Sequence, residues 1–242
     1  MIRLTELKLP LDHPADALPA LIAQTLGITR AELQSHRIYK RSYDARKQKL
    51  LLVYIADVEV ATPALEASLL AKFDGNPHIR SAPDQSYHLV ASDSPAPALR
   101  PVVVGFGPCG IFAALLLAQM GFKPIVLERG KKVRERTQDT WGLWRKGVLD
   151  PESNVQFGEG GAGTFSDGKL YSQIKDPRYL GRKVMNEFVK AGAPPEILIA
   201  ARPHIGTFKL VKVVENMREQ IIALGGEIRF GQRVIEIGRA HV

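Results

Sequence analysis

Cysteine is almost missing from this chain. Its 242 residues include a single one, Cys109. One thiol cannot form an internal disulfide framework, a zinc site made of several cysteines, or a redox-active cysteine pair. The sequence therefore excludes all three kinds of site within this chain.

Signals for export and several common catalytic motifs are missing too. Residues 1–8 carry charges where an export signal has its apolar segment, so we expect a cytoplasmic protein. No cluster of histidine, aspartate and glutamate has the spacing of metal ligands, and we predict no bound metal. The sequence contains neither a G-x-S-x-G turn nor a phosphate loop ending in Gly-Lys-Ser or Gly-Lys-Thr.

One long run lacks charged residues. It covers the 21 residues 102–122, which is the length of a membrane-spanning helix. Three glycines and a proline lie together between positions 105 and 110. This clustering predicts a buried strand, a turn and a buried helix instead, and we expect no membrane partner.

The overall composition is that of a globular protein, with 45% apolar and 24% charged residues. The formal net charge of +8 is unevenly distributed. Residues 1–100 hold 12 basic and 11 acidic side chains, whereas residues 101–242 hold 21 and 14. The positive excess in the second part indicates an anionic ligand or partner there.

The first part of the chain follows a strand, helix, strand, strand, helix, strand pattern. We predict strands over 2–9, 37–43, 50–60 and 87–90, and helices over 16–26 and 62–73. This order is typical of a small ferredoxin-like α+β domain, which we assign to residues 1–91. The stretch 92–100 is rich in proline, serine and alanine and predicts a linker.

From residue 101 onward, strands and helices alternate. We predict strands over 102–104, 124–127, 228–230 and 234–237, and helices over 110–120, 176–191 and 207–224. Alternation of this kind is typical of an α/β domain with a mainly parallel sheet.

The most specific motif is a glycine triplet that follows the first strand of this domain. Gly105 allows the tight turn, Gly107 lets the backbone approach a pyrophosphate, and Gly110 lets the helix pack closely on the sheet. Glu128 ends the next strand, where a carboxylate accepts hydrogen bonds from ribose hydroxyls. The pattern predicts a dinucleotide site, and the acid disfavours NADP there because NADP carries a 2′-phosphate.

A second glycine cluster occupies residues 157–170. The absence of side chains at Gly160, Gly161 and Gly163 permits close approach to a large flat ligand, and the backbone N–H groups of such a loop can bind an anion.

Cys109 lies in the first turn of the helix after the triplet, and we interpret it as a small residue beside the glycines. Without a second cysteine, the chain is not predicted to be a dithiol-using flavin disulfide reductase.

Several of these segments together resemble one family. This chain is similar to bacterial FAD-dependent dehydrogenases in five segments. They are the dinucleotide fingerprint at 105–128, the Glu-Arg-Gly sequence at 128–130, the loop at 157–170 and the segments 203–207 and 40–46. Members of that family combine a small N-terminal domain with a glutathione-reductase-like, Rossmann-type FAD domain. The resemblance implies an FAD-dependent oxidoreductase, with NAD(P)H as an electron donor bound somewhere other than the fingerprint. The implied FAD-binding residues are Gly105, Gly107, Pro108, Cys109, Gly110, Glu128, Arg129, Gly160, Gly161, Ala162, Gly163, Thr164 and Val234.

The sequence departs from that family in one respect. The family returns to its FAD domain late in the chain with a Gly-Asp segment, after a substrate domain, and neither is found here. We therefore expect an incomplete FAD domain over 101–236 and a fragment that is inactive alone. Residues 237–242 match one translated frame of a common sequencing adapter, and we interpret them as read-through.

Alternatives to the flavoenzyme hypothesis stay open at this point. An NAD-dependent dehydrogenase uses the same fingerprint, and a non-catalytic module could bind RNA or protein through basic and aromatic residues of the hairpin at 39–49. The central strand, residues 51–58, lacks the glycine and aromatic pattern that RNA-binding domains use for base stacking, so nucleic acid is the less favoured partner. His204 is a weak candidate for a catalytic proton donor, and the basic run 129–136 is interpreted as a solvated helix face. Substrate, electron acceptor and oligomeric state are not predicted.

Overall fold

The structure, a computed structural model, describes residues 1–46, 48–90, 99–172 and 174–238. The chain divides into two compact units. Unit 1 comprises residues 1–85 and 195–203, and unit 2 comprises residues 86–194 and 204–242. Unit 1 contains an antiparallel sheet and unit 2 a parallel one, so the fold is mixed α/β.

Unit 1 is a four-stranded sheet with two helices. Its elements are β1 (Ile2–Pro10), α1 (Ala17–Leu26), β2 (Leu33–Asp44), β3 (Leu51–Val60), α2 (Pro63–Lys72) and β4 (Ile79–Ser81), followed by a short 3-10 helix at Pro195–Leu198. The strands lie in the order β2-β3-β1-β4, and each neighbouring pair is antiparallel. Alternate residues of β3, Leu52 to Val60, are buried, and they form the core with leucines and isoleucines of β1 and α1.

An irregularity in the sequence of β1 has a structural counterpart. The alternation of apolar and polar residues slips between Leu4 and Leu7, and the pairing of β1 with β3 shifts register at the same place. Glu6 there has a positive φ of 59°. The positions of Leu4 and Leu7 differ by three, which places them on opposite faces of a regular strand, and the bulge lets both face the core.

The last strand of unit 1 is not where the sequence predicts it. Residues 87–90 form no strand, and β4 instead comprises Ile79–Ser81, which pairs with the first residues of β1. A three-residue strand carries too short a pattern to be recognised locally, and its existence depends on the partner.

Unit 2 contains a three-stranded parallel sheet. Its elements are β5 (Val102–Val104), α3 (Pro108–Gln119), β6 (Ile125–Glu128), α4 (Val133–Lys146), a 3-10 helix (Ala162–Phe165), α5 (Leu180–Lys190), α6 (Thr207–Ala223) and β7 (Glu227–Phe230). The order is β5-β6-β7, which places β6 at the centre. Unit 2 therefore has the parallel sheet that the sequence predicts.

Two predictions about the strands of unit 2 are wrong. Val103 is buried, but Val102 and Val104 are more than half exposed, so β5 is not buried on both faces. Successive side chains of a strand point to opposite faces, so Val103 lies beside Gly110 of α3 while Val102 and Val104 share the other face. Residues 234–237 do not form a strand, and the side chains of Ile235 and Ile237 are exposed.

The start of α5 also differs from the prediction. The helix begins at Leu180 rather than at Asp176. The carboxylate of Asp176 nevertheless accepts hydrogen bonds from the N–H groups of Leu180 and Gly181, at 2.9 and 2.7 Å. Asp176 thus caps α5 from four residues before its first residue, whereas the Asp-Pro pair predicts a helix that begins directly after Asp176.

The predicted linker lies largely outside the described residues, which resume at Leu99. Arg100 donates to the carbonyl of Lys123 and pairs with Glu227, so the end of that segment belongs to unit 2. The read-through prediction for 237–242 likewise concerns residues mostly outside the described part. Among the helices of the described ranges, none is both long and apolar enough to cross a bilayer.

A buried ion pair crosses the sheet of unit 1. Arg3 of β1 donates to both carboxylate oxygens of Asp57 of β3, at 2.6 and 2.8 Å, and both side chains are at most 5% exposed. Burial alone would raise the pKa of Asp57, but the hydrogen bonds and charges of Arg3 and Arg37 outweigh it, and the pKa lies below its ordinary value of 3.8.

We predict that Asp57→Asn destabilises unit 1 by about 3 kcal/mol at neutral pH, because Arg3 is left buried without its counter-charge. The pKa of Asp57 is lower in the folded chain than in the unfolded chain, so its contribution is complete above pH 3.8 and is lost as pH falls further. The difference between variant and wild type should therefore shrink at acidic pH. Urea unfolding followed through the NMR signals of β3 amides at several pH values measures it. Glu59→Gln, on the exposed face of the same strand, is the control and should change little. A difference that is constant down to pH 2 would contradict the prediction.

Candidate functional site

The glycine triplet forms the turn between β5 and α3. Gly105 has a positive φ of 89°, and its N–H donates to the carbonyl of Leu127 at 2.8 Å. Gly107 precedes the helix, whose first residue is Pro108. Proline has no N–H, and the following N–H groups of the first turn have no partner within the helix, so this end of α3 can accept an anion.

Gly110 is required by close packing rather than by its own torsion angle. A Cβ built on it would lie well inside van der Waals contact with the carbonyl oxygen of Gly105 and 3.6 Å from Cγ1 of Val103. The helix therefore approaches the end of β5 to a distance that only glycine permits. This agrees with the role that the sequence predicts for this position.

Glu128 ends β6 beside this turn, and it is only 4% exposed. Its carboxylate accepts hydrogen bonds from the N–H of Phe106 at 2.6 Å and from the N–H of Gly130 at 2.8 Å. These bonds fix the carboxylate across the glycine turn. A carboxylate offers about four acceptor positions in all, so two remain for hydroxyl groups of a ligand.

The second glycine cluster is held in place by one buried arginine. Arg136 of α4 is fully buried, and its guanidinium donates to four backbone carbonyls between 2.6 and 2.9 Å, those of Asn154, Val155, Glu159 and Gly161. Burial lowers the pKa of Arg136 to about 10, although the carboxylates of Glu128 and Glu159 favour its charged form. The side chain remains protonated at neutral pH. We call residues 153–165 the arginine-held loop.

Glu159 anchors the same loop from the opposite direction. Its fully buried carboxylate accepts from the N–H of Val133 at 2.7 Å and from Arg218 of α6 at 2.8 and 2.9 Å. Burial raises the pKa of Glu159, against the effects of these two donors. The loop backbone is joined to the glycine turn as well, because Gly160 donates to the carbonyl of Phe106 at 2.8 Å.

A cavity of about 250 Å³ lies where these segments meet, and we call it the glycine cavity. It is lined by both ends of the fingerprint, by the arginine-held loop and by the segment after β7. From the predicted set it brings together Gly105, Gly107, Glu128, Arg129, Gly161 and Val234. Phe157 and Gly158, from the glycine cluster that the sequence predicts at 157–170, also line it. The sequence did not single out the three further lining residues, Gln156, Gln232 and Arg233.

Arg129 forms one wall of this cavity. Its guanidinium lies 3.8 Å above the ring of Phe157 and pairs with Glu152 at 3.0 Å. Arg233 pairs with the other oxygen of Glu152, also at 3.0 Å. A single carboxylate thus holds two guanidinium groups beside the glycine cavity.

A second cavity of about 240 Å³ lies at the start of α3, and we call it the apolar cavity. Pro108, Gly160, Gly163 and Thr164 of the predicted set contribute to it. Its remaining walls are mostly side chains of helices, among them Ile111, Phe112, Phe188, Leu210, Val214 and Met217. The two cavities are therefore lined by adjacent residues of the same turn and the same loop.

The other predicted residues lie outside the walls of both cavities in the described part of unit 2. Cys109 is exposed and does not fill the space beside the glycines. Ala162 is exposed too, and Gly110 supports the turn from behind. His204 is exposed and forms an isolated antiparallel bridge with Lys169, which itself lines the apolar cavity.

The interpretation of the basic run 129–136 as a solvated helix face is wrong for Arg136, whereas Lys132 and Arg134 are exposed. Arg136 is the most buried of its members, and Lys131 pairs with Asp139 at 2.8 Å. The helical repeat could have indicated the burial of Arg136. It is three residues after Val133 and four before Thr140, so the three side chains lie on one face of α4, and all three are buried.

Aromatic rings cover the outside of the arginine-held loop. Trp141 and Trp144 of α4 contact each other edge to face, with ring centres 6.0 Å apart. Trp144 contacts Phe165 in the same way at 5.8 Å. The guanidinium of Arg136 lies 4.8 Å from the ring of Phe165.

We predict that Gly110→Ala destabilises unit 2 by at least about 2 kcal/mol, because the added methyl group forces α3 away from β5. The matched control is Gly142→Ala in the interior of α4, where the nearest atom to the new Cβ is 3.9 Å away. That substitution should stabilise the chain by about 1 kcal/mol through helix propensity. Thermal unfolding of the two variants measures both effects, and loss of stability in both would refute the packing argument.

We also predict that Arg136→Lys costs about 3 kcal/mol, because an ammonium group has three N–H donors and cannot bond to all four carbonyls. Arg134→Lys, two residues earlier at a side chain that is 71% exposed and pairs with Glu215, should cost less than about 1 kcal/mol. Hydrogen exchange of peptides covering 153–165 should be faster only in the Arg136 variant. Equal exchange in the two variants would mean that Arg136 does not organise the loop.

Comparison with known proteins gives two findings. Residues 1–59 match a family described as Domain of unknown function (DUF8436). The chain is 43% identical, over 236 residues, to an uncharacterized protein of Clostridium beijerinckii. The alignment covers 98% of this chain but 43% of that relative, so the chain spans less than half of the relative's length.

Proposed function

We propose that this chain carries the dinucleotide-binding part of an FAD-dependent oxidoreductase. The observation that carries the proposal is the glycine cavity. Residues from three separate segments, which the motifs and the family resemblance select, line one cavity together with a fixed carboxylate. A glycine-rich turn without a ligand does not require this convergence.

The finer description of the two folds is part of the proposal. The element order of unit 1 and its sheet order β2-β3-β1-β4 support a ferredoxin-like domain. In unit 2, parallel β5 and β6 joined through α3, with the triplet at the turn, support a Rossmann-type FAD domain.

The residues present fit such a cofactor. A Cβ on Gly105 would meet no atom within 4 Å, and one on Gly107 would meet only Cα of Gly161, at 3.8 Å. The space beside these two glycines is thus open cavity that any larger side chain would fill. Glu128 would accept the ribose hydroxyls, and the N–H groups at the start of α3 would hold the diphosphate.

FAD would supply electron transfer through its flavin ring. The chain's own part is to hold and orient the nucleotide. Glu128 stays aimed at the cavity because two backbone N–H groups fix it, and the arginine-held loop keeps Gly161 opposite Gly107. The walls of the apolar cavity would exclude water from a flat ring placed beyond the diphosphate.

The test is titration of the purified chain with FAD, NAD and NADP by calorimetry. We expect FAD to bind most tightly and Glu128→Gln to weaken FAD binding about tenfold, since a charge-assisted hydrogen bond contributes more than 1.4 kcal/mol. Glu135→Gln, which removes an exposed carboxylate of α4, is the control and should bind like the wild type.

Two outcomes would overturn this proposal. Tighter binding of NAD than of FAD would favour a nicotinamide-dependent dehydrogenase using the same fingerprint. If neither dinucleotide binds, the purified Clostridium relative provides the second measurement, and the absence of the visible absorption of a flavin there would leave a non-catalytic binding module.

A further inference from the structure

One carboxylate beside the glycine cavity bonds to two guanidinium groups. Glu152 accepts from Nε of Arg129 through Oε2 and from Nη1 of Arg233 through Oε1, and both distances are 3.0 Å. Each carboxylate oxygen therefore has a guanidinium of its own. Arg129 and Arg233 line the cavity, whereas Glu152 does not. The carboxylate thus acts on the cavity through the two arginines.

The backbone places both arginines next to the carboxylate that would accept the ribose hydroxyls. Arg129 directly follows Glu128 in the chain. The segment after β7 returns to the same place, because the N–H of Gln232 donates to the carbonyl of Glu128 at 2.9 Å. Arg233 is therefore held beside the end of β6 by its neighbour in the chain, whatever its own side chain binds.

The two arginines differ in how firmly their side chains are held. The guanidinium of Arg129 also lies 3.8 Å above the ring of Phe157 and donates to the carbonyl of Pro151 at 3.2 Å, and its side chain is 28% exposed. Arg233 is 58% exposed, and within the described ranges its guanidinium has one polar contact, the bond to Glu152. Glu152 therefore determines where the guanidinium of Arg233 lies.

Glu152 is itself positioned by a turn. Its N–H donates to the carboxylate of Asp150 at 2.9 Å, and the N–H of Ser153 donates to the same oxygen at 3.2 Å. Lys131 pairs with the other oxygen at 3.3 Å. The bond from the N–H of Glu152 is the main cause that holds the pKa of Asp150 below its ordinary value of 3.8. Asp150 is therefore ionised at neutral pH, and the turn that carries Glu152 stays closed.

Guanidinium groups near an adenosine ribose can bind a 2′-phosphate. In dinucleotide sites a carboxylate accepts the ribose 2′-hydroxyl, whereas an arginine nearby accommodates a 2′-phosphate. The glycine cavity has both kinds of group, Glu128 and the two arginines, so its lining alone does not decide between the two ligands. Among the charged side chains of the lining, the arginines are in excess by one. Glu152 neutralises that excess from outside the cavity.

We propose that Glu152 is a positioning residue that sets the selectivity of the glycine cavity, because it holds Arg129 and Arg233 and so withholds them from a 2′-phosphate. The cavity then accepts adenine dinucleotides whose ribose hydroxyls are free and rejects those that carry a 2′-phosphate. This inference rests on the proposed function, since it requires an adenine dinucleotide in the glycine cavity. It assigns to Glu152 part of the discrimination that the fingerprint acid Glu128 is expected to provide.

Support of the fold is the alternative role for these ion pairs. The three side chains are at least 28% exposed, and ion pairs that are open to solvent contribute little to stability. Glu152→Gln should therefore fold, with a melting temperature close to that of the wild type. The two roles also differ in their effect on ligands, because a loosened support weakens the binding of all ligands of the cavity alike.

The test compares ADP-ribose with 2′-phospho-ADP-ribose in calorimetric titrations of the complete chain. The two ligands differ only by the phosphate on the adenosine ribose. We expect the wild type to bind ADP-ribose at least about tenfold more tightly. In Glu152→Gln, the affinity for 2′-phospho-ADP-ribose should rise about tenfold, the effect of one charge-assisted hydrogen bond, whereas the affinity for ADP-ribose should change less than about twofold. The measured quantity is the ratio of the two affinities.

Two further variants separate this effect from a general change of charge. Glu236→Gln removes an exposed carboxylate three residues after Arg233 and is the matched control, so its ratio should equal that of the wild type. Arg233→Ala added to Glu152→Gln removes the guanidinium that Glu152 would have released. The double variant should therefore lose most of the gain in affinity for 2′-phospho-ADP-ribose.

Four results would overturn the inference. An unchanged ratio in Glu152→Gln, with ADP-ribose still bound, would leave the discrimination to Glu128 alone. Equal weakening of both ligands would make Glu152 a structural support. The same change of ratio in Glu236→Gln would indicate only a diffuse effect of charge. Absence of binding of either ligand to all of these chains would overturn the proposed function together with this inference, whereas the first three results leave the proposed function intact.

Discussion

The buried guanidinium of Arg136 is the interaction on which the rest of unit 2 depends. A glycine-rich loop has a large conformational entropy to lose, and its carbonyls must be bonded if they are withdrawn from water. Arg136 satisfies four of them from one side chain, and Glu159 with Arg218 fixes the loop against α6. With the loop in place, Gly161 lies opposite the triplet and both cavities of unit 2 have a wall. Composition alone would assign the positive charge of Arg136 to the binding of a partner, but this guanidinium binds carbonyls inside the protein.

Charge is distributed differently in the two units. In unit 2 most of the arginines near the cavities pair with acids or carbonyls, as Arg129 does with Glu152 and Arg134 with Glu215. In unit 1 the pair of Arg3 and Asp57 is equally enclosed, whereas Arg37 and Arg46 pair with acids while their own side chains stay 63% and 80% exposed. A net charge therefore says little about where an anion binds, since an arginine can be neutralised by an acid or by carbonyls within the protein.

Local patterns in the sequence predicted most helices and strands, and they predicted the elements around the triplet best. Gly105, Gly110 and Glu128 could be assigned because each is required by contacts within about twenty residues of sequence. The short β4, the exposed faces of β5 and the pairing of Arg41 with Ala200 could not, because each depends on which distant segment lies beside the strand. The burial of Arg136 could have been predicted from the helical spacing that puts it on the same face as Val133 and Thr140. A run of basic residues by itself favours a surface position, and that is why the sequence analysis placed it in solvent.

The ring contacts outside the arginine-held loop have an optical consequence. The chain has two tryptophans, and both lie on α4, one of them against Phe165 of the loop. Intrinsic tryptophan emission is therefore a local reporter of this one corner of unit 2. It should respond when a ligand shifts the loop, and it should remain silent about events confined to the sheet of unit 1. Tryptophan fluorescence thus distinguishes changes in unit 2 from changes in unit 1 without an added label.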